Sequence, residues 1–152
     1  MSSWELAQLN IATLVAPIES PTLTDFVAAL DRINELADNA PGFVWRYQTD
    51  DDNSAEAEQS FGSDVIVNLS VWESIEQLHD YVYRTGHAQI MSRRKEWFTK
   101  MTNAYAVLWW VPQGHQPTPH EAKLKLELLR DKGPTADAFT FKQAFPNPGG
   151  GS

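Results

Sequence analysis

Val65-Ile66-Val67-Asn68-Leu69-Ser70-Val71-Trp72 is followed, after Glu73, by Ser74-Ile75-Glu76-Gln77. The first eight residues alternate and are rich in β-branched side chains, which predicts a strand. Val65, Val67, Leu69 and Val71 share an apolar face, and Ile66, Asn68, Ser70 and Trp72 lie opposite. The four residues from Ser74 fit a capping box, in which the Ser hydroxyl accepts from the third helical N–H and the Gln reaches back. The helix they start carries Ile75, Leu78 and Val82 on one stripe, so a strand hands over directly to a helix.

The same signals recur on either side. Glu5 to Ile11 alternates as a first strand, with Ala7, Leu9 and Ile11 against Leu6, Gln8 and Asn10. Pro17 and Pro21 break the chain, and Thr24 to Ala37 then places Val27, Leu30, Ile33 and Ala37 at helix spacing. Pro41-Gly42 stops that helix and opens a second strand, Phe43 to Gln48. Its Val44, Arg46 and Gln48 alternate with Phe43, Trp45 and Tyr47. Residues 50–60 carry five acids and no large apolar side chain, and read as a solvated hairpin loop. The second helix is interrupted near Thr85-Gly86 and resumes through Ile90, Trp97 and Met101. Ala104 to Val111 is a fourth strand. Thr118-Pro119-His120-Glu121 starts a further helix, with Pro at its first position, a capping-box Glu and a buried stripe of Ala122, Leu126 and Leu129. It ends near Lys132-Gly133-Pro134. Ala138 to Phe145 alternates like a short terminal strand, and 146–152 reads as a disordered tail after a single domain over 1–145.

The order β-α-β-β-α-β with a C-terminal helical extension predicts an α+β, ferredoxin-like subunit. One antiparallel sheet is expected, with its helices on one face. The other face should then be covered by a second copy, giving a homodimer, a dimeric α+β barrel with an enclosed space between the sheets.

Composition narrows the function. The chain has 152 residues, no cysteine, 12 basic and 20 acidic residues, and a formal charge of -8. Without cysteine there is no disulfide framework, thiolate metal site or thiol nucleophile. Phosphate binding draws on dense Lys and Arg, so neither nucleic acid nor an anionic membrane is an expected partner. The longest uncharged apolar run, Ala104 to Pro112, falls far short of the ~20 residues of a membrane span. No secretory signal is visible in Met1-Ser2-Ser3-Trp4, so a soluble, cytoplasmic protein is expected.

The faces of the strands locate a candidate site. Gln8, Asn10, Arg46, Asn68 and Ser70 converge on the face turned away from the predicted apolar one, with Trp72 at the rim. A solvent-facing sheet would more often carry Lys, Glu and Thr, whereas amides, one Arg and a Trp suit a partly enclosed pocket for a small molecule. The other reading is that these residues satisfy one another across a dimer interface. Among the histidines, His79 follows Leu78 and is expected at the core edge. His87 follows Gly86 at the helix interruption, where it can act as a structural cap or aim an imidazole, whose unperturbed pKa is ~6.5, at the pocket. His115 lies in the Gln113–Pro117 turn and joins the candidate substrate-binding residues, while His120 is expected to be exposed. No His pair has the i, i+4 spacing of a helical metal site, and no Gly-x-Ser-x-Gly nucleophile elbow or phosphate-cradling Gly loop occurs. No metal and no cofactor are expected. Arg93-Arg94-Lys95 is read as a solvated helix face.

Val71-Trp72-Glu73-Ser74, with His87 fifteen positions after the Trp, resembles the antibiotic biosynthesis monooxygenase superfamily of dimeric α+β barrels. More narrowly, Leu6-Ala7-Gln8-Leu9-Asn10, Pro41-Gly42-Phe43-Val44-Trp45-Arg46, Ser70 to Ser74 and Trp109-Trp110-Val111-Pro112 resemble the bacterial family called domain of unknown function 3291. Gly114-His115 and Gly133-Pro134-Thr135 continue that likeness. The superfamily resemblance implies cofactor-independent oxidation of an aromatic or enolisable substrate. Asn68 and Trp72 match the spacing of its substrate-activating Asn and Trp, with His87 as proton carrier. Trp72 would stack on a ring, and Asn68, Arg46 and Asn10 would hold developing negative charge. Haem-degrading members carry a Trp ten residues before the helix His, where Gln77 stands, so that set is incomplete. The alternatives are a non-catalytic homodimeric ligand-binding or stress-response module and, third, a haem binder through His87.

Overall fold

The computed structural model describes residues 4–17, 19–47, 61, 65–84, 94–99 and 105–148. Gln48, the acidic stretch 50–60, the Thr85-Gly86 interruption, His87 and the last four residues lie outside the described set.

Four strands form one antiparallel sheet in the order β2-β3-β1-β4. They are β1 (Trp4–Thr13), β2 (Phe43–Arg46), β3 (Val65–Trp72) and β4 (Ala106–Pro112). The long helices are α1 (Thr24–Asp38), α2 (Ile75–Arg84) and α4 (Pro119–Lys132), and the short α3 is Arg94–Trp97. The fold is α+β, and its strand order is that of a split β-α-β unit, with β3 inserted between β1 and β2. β1 takes a central place because residues on both of its faces, Leu6 on one and Ala7 and Leu9 on the other, are fully buried.

Register fixes the faces. Leu6, Gln8 and Asn10 stand opposite Trp72, Ser70 and Asn68 of β3, and opposite Trp110, Leu108 and Ala106 of β4. Ala7, Leu9 and Ile11 face the other way and meet Val71, Leu69 and Val67. In β2 the alternation breaks. Phe43 pairs with Trp72, yet Trp45 pairs with Val71 and Arg46 with Ser70, so Val44 is the extra residue of a bulge. Phe43 therefore shares a face with Arg46 rather than with Trp45, contrary to strict alternation.

The sheet is covered on both sides. Ala122, Leu126 and Leu129 of α4 pack with Ala7, Leu9, Leu69, Val71, Val107, Trp109 and Val111. Ile33 and Ala37 of α1 and Leu78 and Tyr81 of α2 pack with Leu6, Trp72 and Leu108, joined by Phe139 from the chain after α4. Alternation alone predicts α1 and α2 over the apolar face, with the polar one bare. The structure reverses this, because α4 supplies its own apolar stripe and takes the apolar face. The open sheet face expected to seat a second copy is thus covered within the chain. On α1, Phe26, Ile33 and Ala37 are buried whereas Val27 is exposed. Phe26 joins Leu14, Leu23 and Trp97 in a third cluster beyond the end of β1.

The helix ends obey local chemistry. Gln77 N–H donates to Ser74 Oγ at 3.2 Å, and the Ser74 hydroxyl donates to Gln77 Oε1 at 3.0 Å. At α4, Glu121 N–H donates to Thr118 Oγ1 at 3.1 Å behind Pro119, and Gly133 ends the helix with φ 75°. Beyond it, Phe139 makes an isolated bridge to Leu108, with two backbone hydrogen bonds of 2.8 Å that cover the outer edge of β4. The alternation of 138–145 thus yields isolated bridges, Phe139 to Leu108 and Ala138 to Thr135, rather than a strand.

Gly42 joins α1 to β2 with φ 86°, and an added Cβ would overlap the Gln77 side chain at the start of α2. Its carbonyl also accepts from Glu73 N–H at 2.7 Å. Gly42→Ala is expected to lower unfolding stability by about 2–3 kcal/mol, combining the positive φ with the displaced capping residue. Urea unfolding checks this, and an unchanged midpoint would refute it.

Candidate functional site

The polar residues that sequence alternation brings together do line one cavity, between the sheet and the layer of α1 and α2. Its volume is about 730 Å³, within the range of small-molecule sites. Gln8, Asn10, Asn68 and Ser70 form its floor, with Arg46 and Trp72 toward the β2 side. α1 contributes Asn34, and α2 contributes His79, Tyr81 and Tyr83. Thr140, Phe141 and Lys142, held beside β4 by the Phe139 bridge, close the opposite side.

The floor is a hydrogen-bonded chain. Trp72 Nε1–H donates to Ser70 Oγ at 2.8 Å, and Gln8 Nε2 lies 2.7 Å from the same oxygen and 2.8 Å from Asn68 Oδ1. An indole N–H can only donate, so Ser70 must accept there, which fixes the polarity of the chain at that end. Gln8 turns one edge of its amide to both partners. The other edge has no hydrogen-bond partner among the described residues, and neither has the Asn10 amide.

Trp72 is only 1% exposed. Phe43 meets its ring edge-on at 5.5 Å, and Tyr81 lies over it at 5.0 Å with planes 32° apart. The indole thus serves the site from beneath, by anchoring Ser70. Arg46 donates to Asp38 through Nε at 2.8 Å and Nη2 at 3.3 Å. Asp38 ends α1, where a carboxylate meets the negative end of the helix dipole, and the guanidinium offsets both. Tyr81 O–H donates to the Ile33 carbonyl at 2.9 Å. Burial pushes this hydroxyl up to about 12, with Arg46 pulling it down and Asp38 pushing it up.

At the mouth, His79 stacks on Tyr83 at 4.3 Å and meets the ring of Phe141 at 5.6 Å, nearly perpendicular. Sequence reasoning expected His79 at the core edge. It is exposed, and its i, i+4 spacing from Tyr83 was the available signal. Nothing local marked Asn34, Phe141 or Lys142, which reach the site through tertiary packing.

His115 is placed elsewhere. Its Nε2 lies 2.7 Å from Glu121 Oε1, and Trp109 Nε1–H donates to Glu121 Oε2 at 3.0 Å. Trp109 points to the α4 side of the sheet, so His115 belongs to the opposite face from the cavity. The same contacts draw the Glu121 carboxylate away from a reciprocal capping-box bond. Its backbone N–H alone bonds Thr118. Among the described residues no group of three His, Asp or Glu could hold a metal ion, and no helix is long and apolar enough to cross a membrane.

A family model described as a domain of unknown function, DUF3291, matches residues 5–151. This chain belongs to the DUF3291 family. No curated protein matches this DUF3291 chain. A solved structure of a protein of unknown function from Nitrosomonas europaea is similar to it at 14% identity and a TM-score of 0.48, covering 76% of this chain and 95% of that one.

The Tyr81 environment gives a direct optical prediction for this DUF3291 protein. One of its four tyrosines should titrate near 12 in the tyrosinate absorbance, and Tyr81→Phe should remove that step. Because the folded pKa lies above the ordinary value of 10.0, the contribution to stability is complete below pH 10 and disappears as pH rises toward 12. Its size is about 2–3 kcal/mol. A native protein whose tyrosines all titrate near 10 would contradict this burial.

Proposed function

We propose that this DUF3291 chain binds a small, planar organic molecule in the cavity between its sheet and α1 and α2. The carrying observation is the floor, where the Gln8, Asn68, Ser70 and Trp72 chain is rigidly paired while one edge of Gln8 and the Asn10 amide have no partner among the described residues. These amide groups are half-buried and open onto the cavity, where a ligand with its own donors and acceptors could pair with them. The rings of His79, Tyr83 and Phe141 supply the flat contact area that a planar molecule needs.

A cofactor-independent oxygenase acting on an aromatic or enolisable molecule is the second reading. The observation that favours it is that Asn68 and Trp72 share one strand face and line the same cavity, with Asn68 held in place by Gln8. An amide so held can stabilise negative charge developing on an enolate or phenolate.

Thermal unfolding against a panel of anthrones, hydroquinones and related ring compounds tests the binding reading, and oxygen uptake by metal-free protein tests the chemistry. A true ligand present at 100 times its Kd should raise stability by about 2.7 kcal/mol. Asn10→Leu should weaken that ligand about tenfold or more while leaving the unligated protein within about 0.5 kcal/mol. No stabilisation by any compound, or equal binding by Asn10→Leu, would refute the site. Ligand recovered unchanged favours the module, and ligand-dependent oxygen uptake lost in Asn68→Ala favours the oxygenase.

A further inference from the structure

The charge around the cavity does not match the charge of the protein. Acidic residues outnumber basic ones 20 to 12, yet no Asp or Glu is among the described residues that line the cavity, whereas Arg46 and Lys142 are. The two cations are not equivalent. Arg46 has its guanidinium turned to Asp38 by two hydrogen bonds, so its charge is already matched. Lys142 has no carboxylate within ion-pair distance among the described residues. It is also held in place by its backbone. Phe139 is bonded to Leu108, and Gln143 N–H donates back to both the carbonyl and Oγ1 of Thr140 at 3.2 Å, closing a turn around Phe141 and Lys142. That turn places Lys142 on the cavity wall directly after Phe141, whose ring meets His79.

We infer that the ligand of this cavity is a planar aromatic carboxylate. Its ring lies against the aromatic mouth, its anionic group meets Lys142, and its neutral edge faces Asn10 and Gln8. A single unmatched ammonium suits a monoanion. A phosphate group would call for the forked donors of a free Arg or several cations together. On a protein of net charge -8, a lining without carboxylates spares an anion the local repulsion it would meet elsewhere on the surface. The inference rests on the cavity being a binding site, as proposed above.

Calorimetric titration of the full chain with 2-naphthoate and with its neutral counterpart 2-naphthamide separates charge from shape. The carboxylate should bind about three- to fivefold tighter, the preference an exposed ion pair supplies. Lys142→Gln should abolish the preference while leaving naphthamide affinity unchanged, and Lys142→Arg should retain it. Equal binding of the two probes, or a preference that survives Lys142→Gln, overturns the inference. Asn10→Leu keeps that failure distinct from failure of the site. If it weakens both probes while the charge preference is absent, the cavity binds rings but not anions. If it changes neither, the probes bind outside the cavity and both readings fall. Binding of neither probe by the native chain excludes aromatic carboxylates of this shape.

Discussion

A row of amide and hydroxyl side chains lies on a sheet face that the chain itself covers, and the rest of the architecture follows from how that row is satisfied. Gln8 stands opposite Ser70 and Asn10 opposite Asn68 on the two central strands, beneath α1 and α2. A buried polar group left unpaired costs about 1–3 kcal/mol, so such a row folds stably only if its members pair or face a space that admits polar partners. Both solutions are used. Trp72, Ser70, Gln8 and Asn68 pair among themselves, and the floor they form opens onto a cavity instead of a packed layer. The aromatic stack of Phe43, Trp72 and Tyr81 holds the paired end in a fixed position.

The opposite face shows what the chain does without that constraint. There α4 lies on an apolar surface and buries Ala122, Leu126 and Leu129 against it. Each fully buried Leu contributes roughly 1.5–3 kcal/mol, so this layer anchors the sheet, while the other holds a packed cluster beside the cavity. The chain after α4 then returns to the cavity side. Phe139 bridges to β4, Trp110 Nε1–H donates to the Phe145 carbonyl at 3.0 Å, and the residues between supply the outer wall of the cavity. The tryptophans divide accordingly. Trp45 and Trp109 belong to the α4 side, Trp72 and Trp110 to the cavity side, and Trp97 to the cluster beyond β1.

Local signals carried most of this into the sequence. Alternation in 5–11 and 65–72 marks which side chains share a face, and Ser74 and Thr118 mark helix starts through their own hydrogen bonds. Gln8, Asn10, Asn68, Ser70 and Trp72 share in the structure the face that this alternation marks. Alternation does not say which helix covers which face, because α1, α2 and α4 all carry an apolar stripe. A one-residue bulge at Val44 is equally silent, since it depends on β3 pairing with β2. His115 is a candidate by its turn alone. Its partner Glu121 is fixed by Trp109 on the far side, a contact no spacing rule contains.

The groups that line the cavity also bear on what chemistry can happen there. Tyr81 sits against the floor, but a hydroxyl pushed up to about 12 is fully protonated near neutrality, and it is already donating to the Ile33 carbonyl. Its proton is committed to that carbonyl, and the residue stands in the wall of the cavity. His79 is an imidazole at the mouth, stacked on Tyr83 and outside the hydrogen-bonded floor. General acid–base catalysis needs its proton carrier within about 2.6–3.2 Å of the reacting atom, or one water away. Among the described residues, then, the deep end of the cavity offers amides and hydroxyls, groups that could pair with a ligand under either proposal. A reaction there would draw its proton acceptor from the ligand itself or from an imidazole brought to the mouth. This ordering, recognition by the floor and any proton transfer at the rim, makes binding the property on which both functional readings depend.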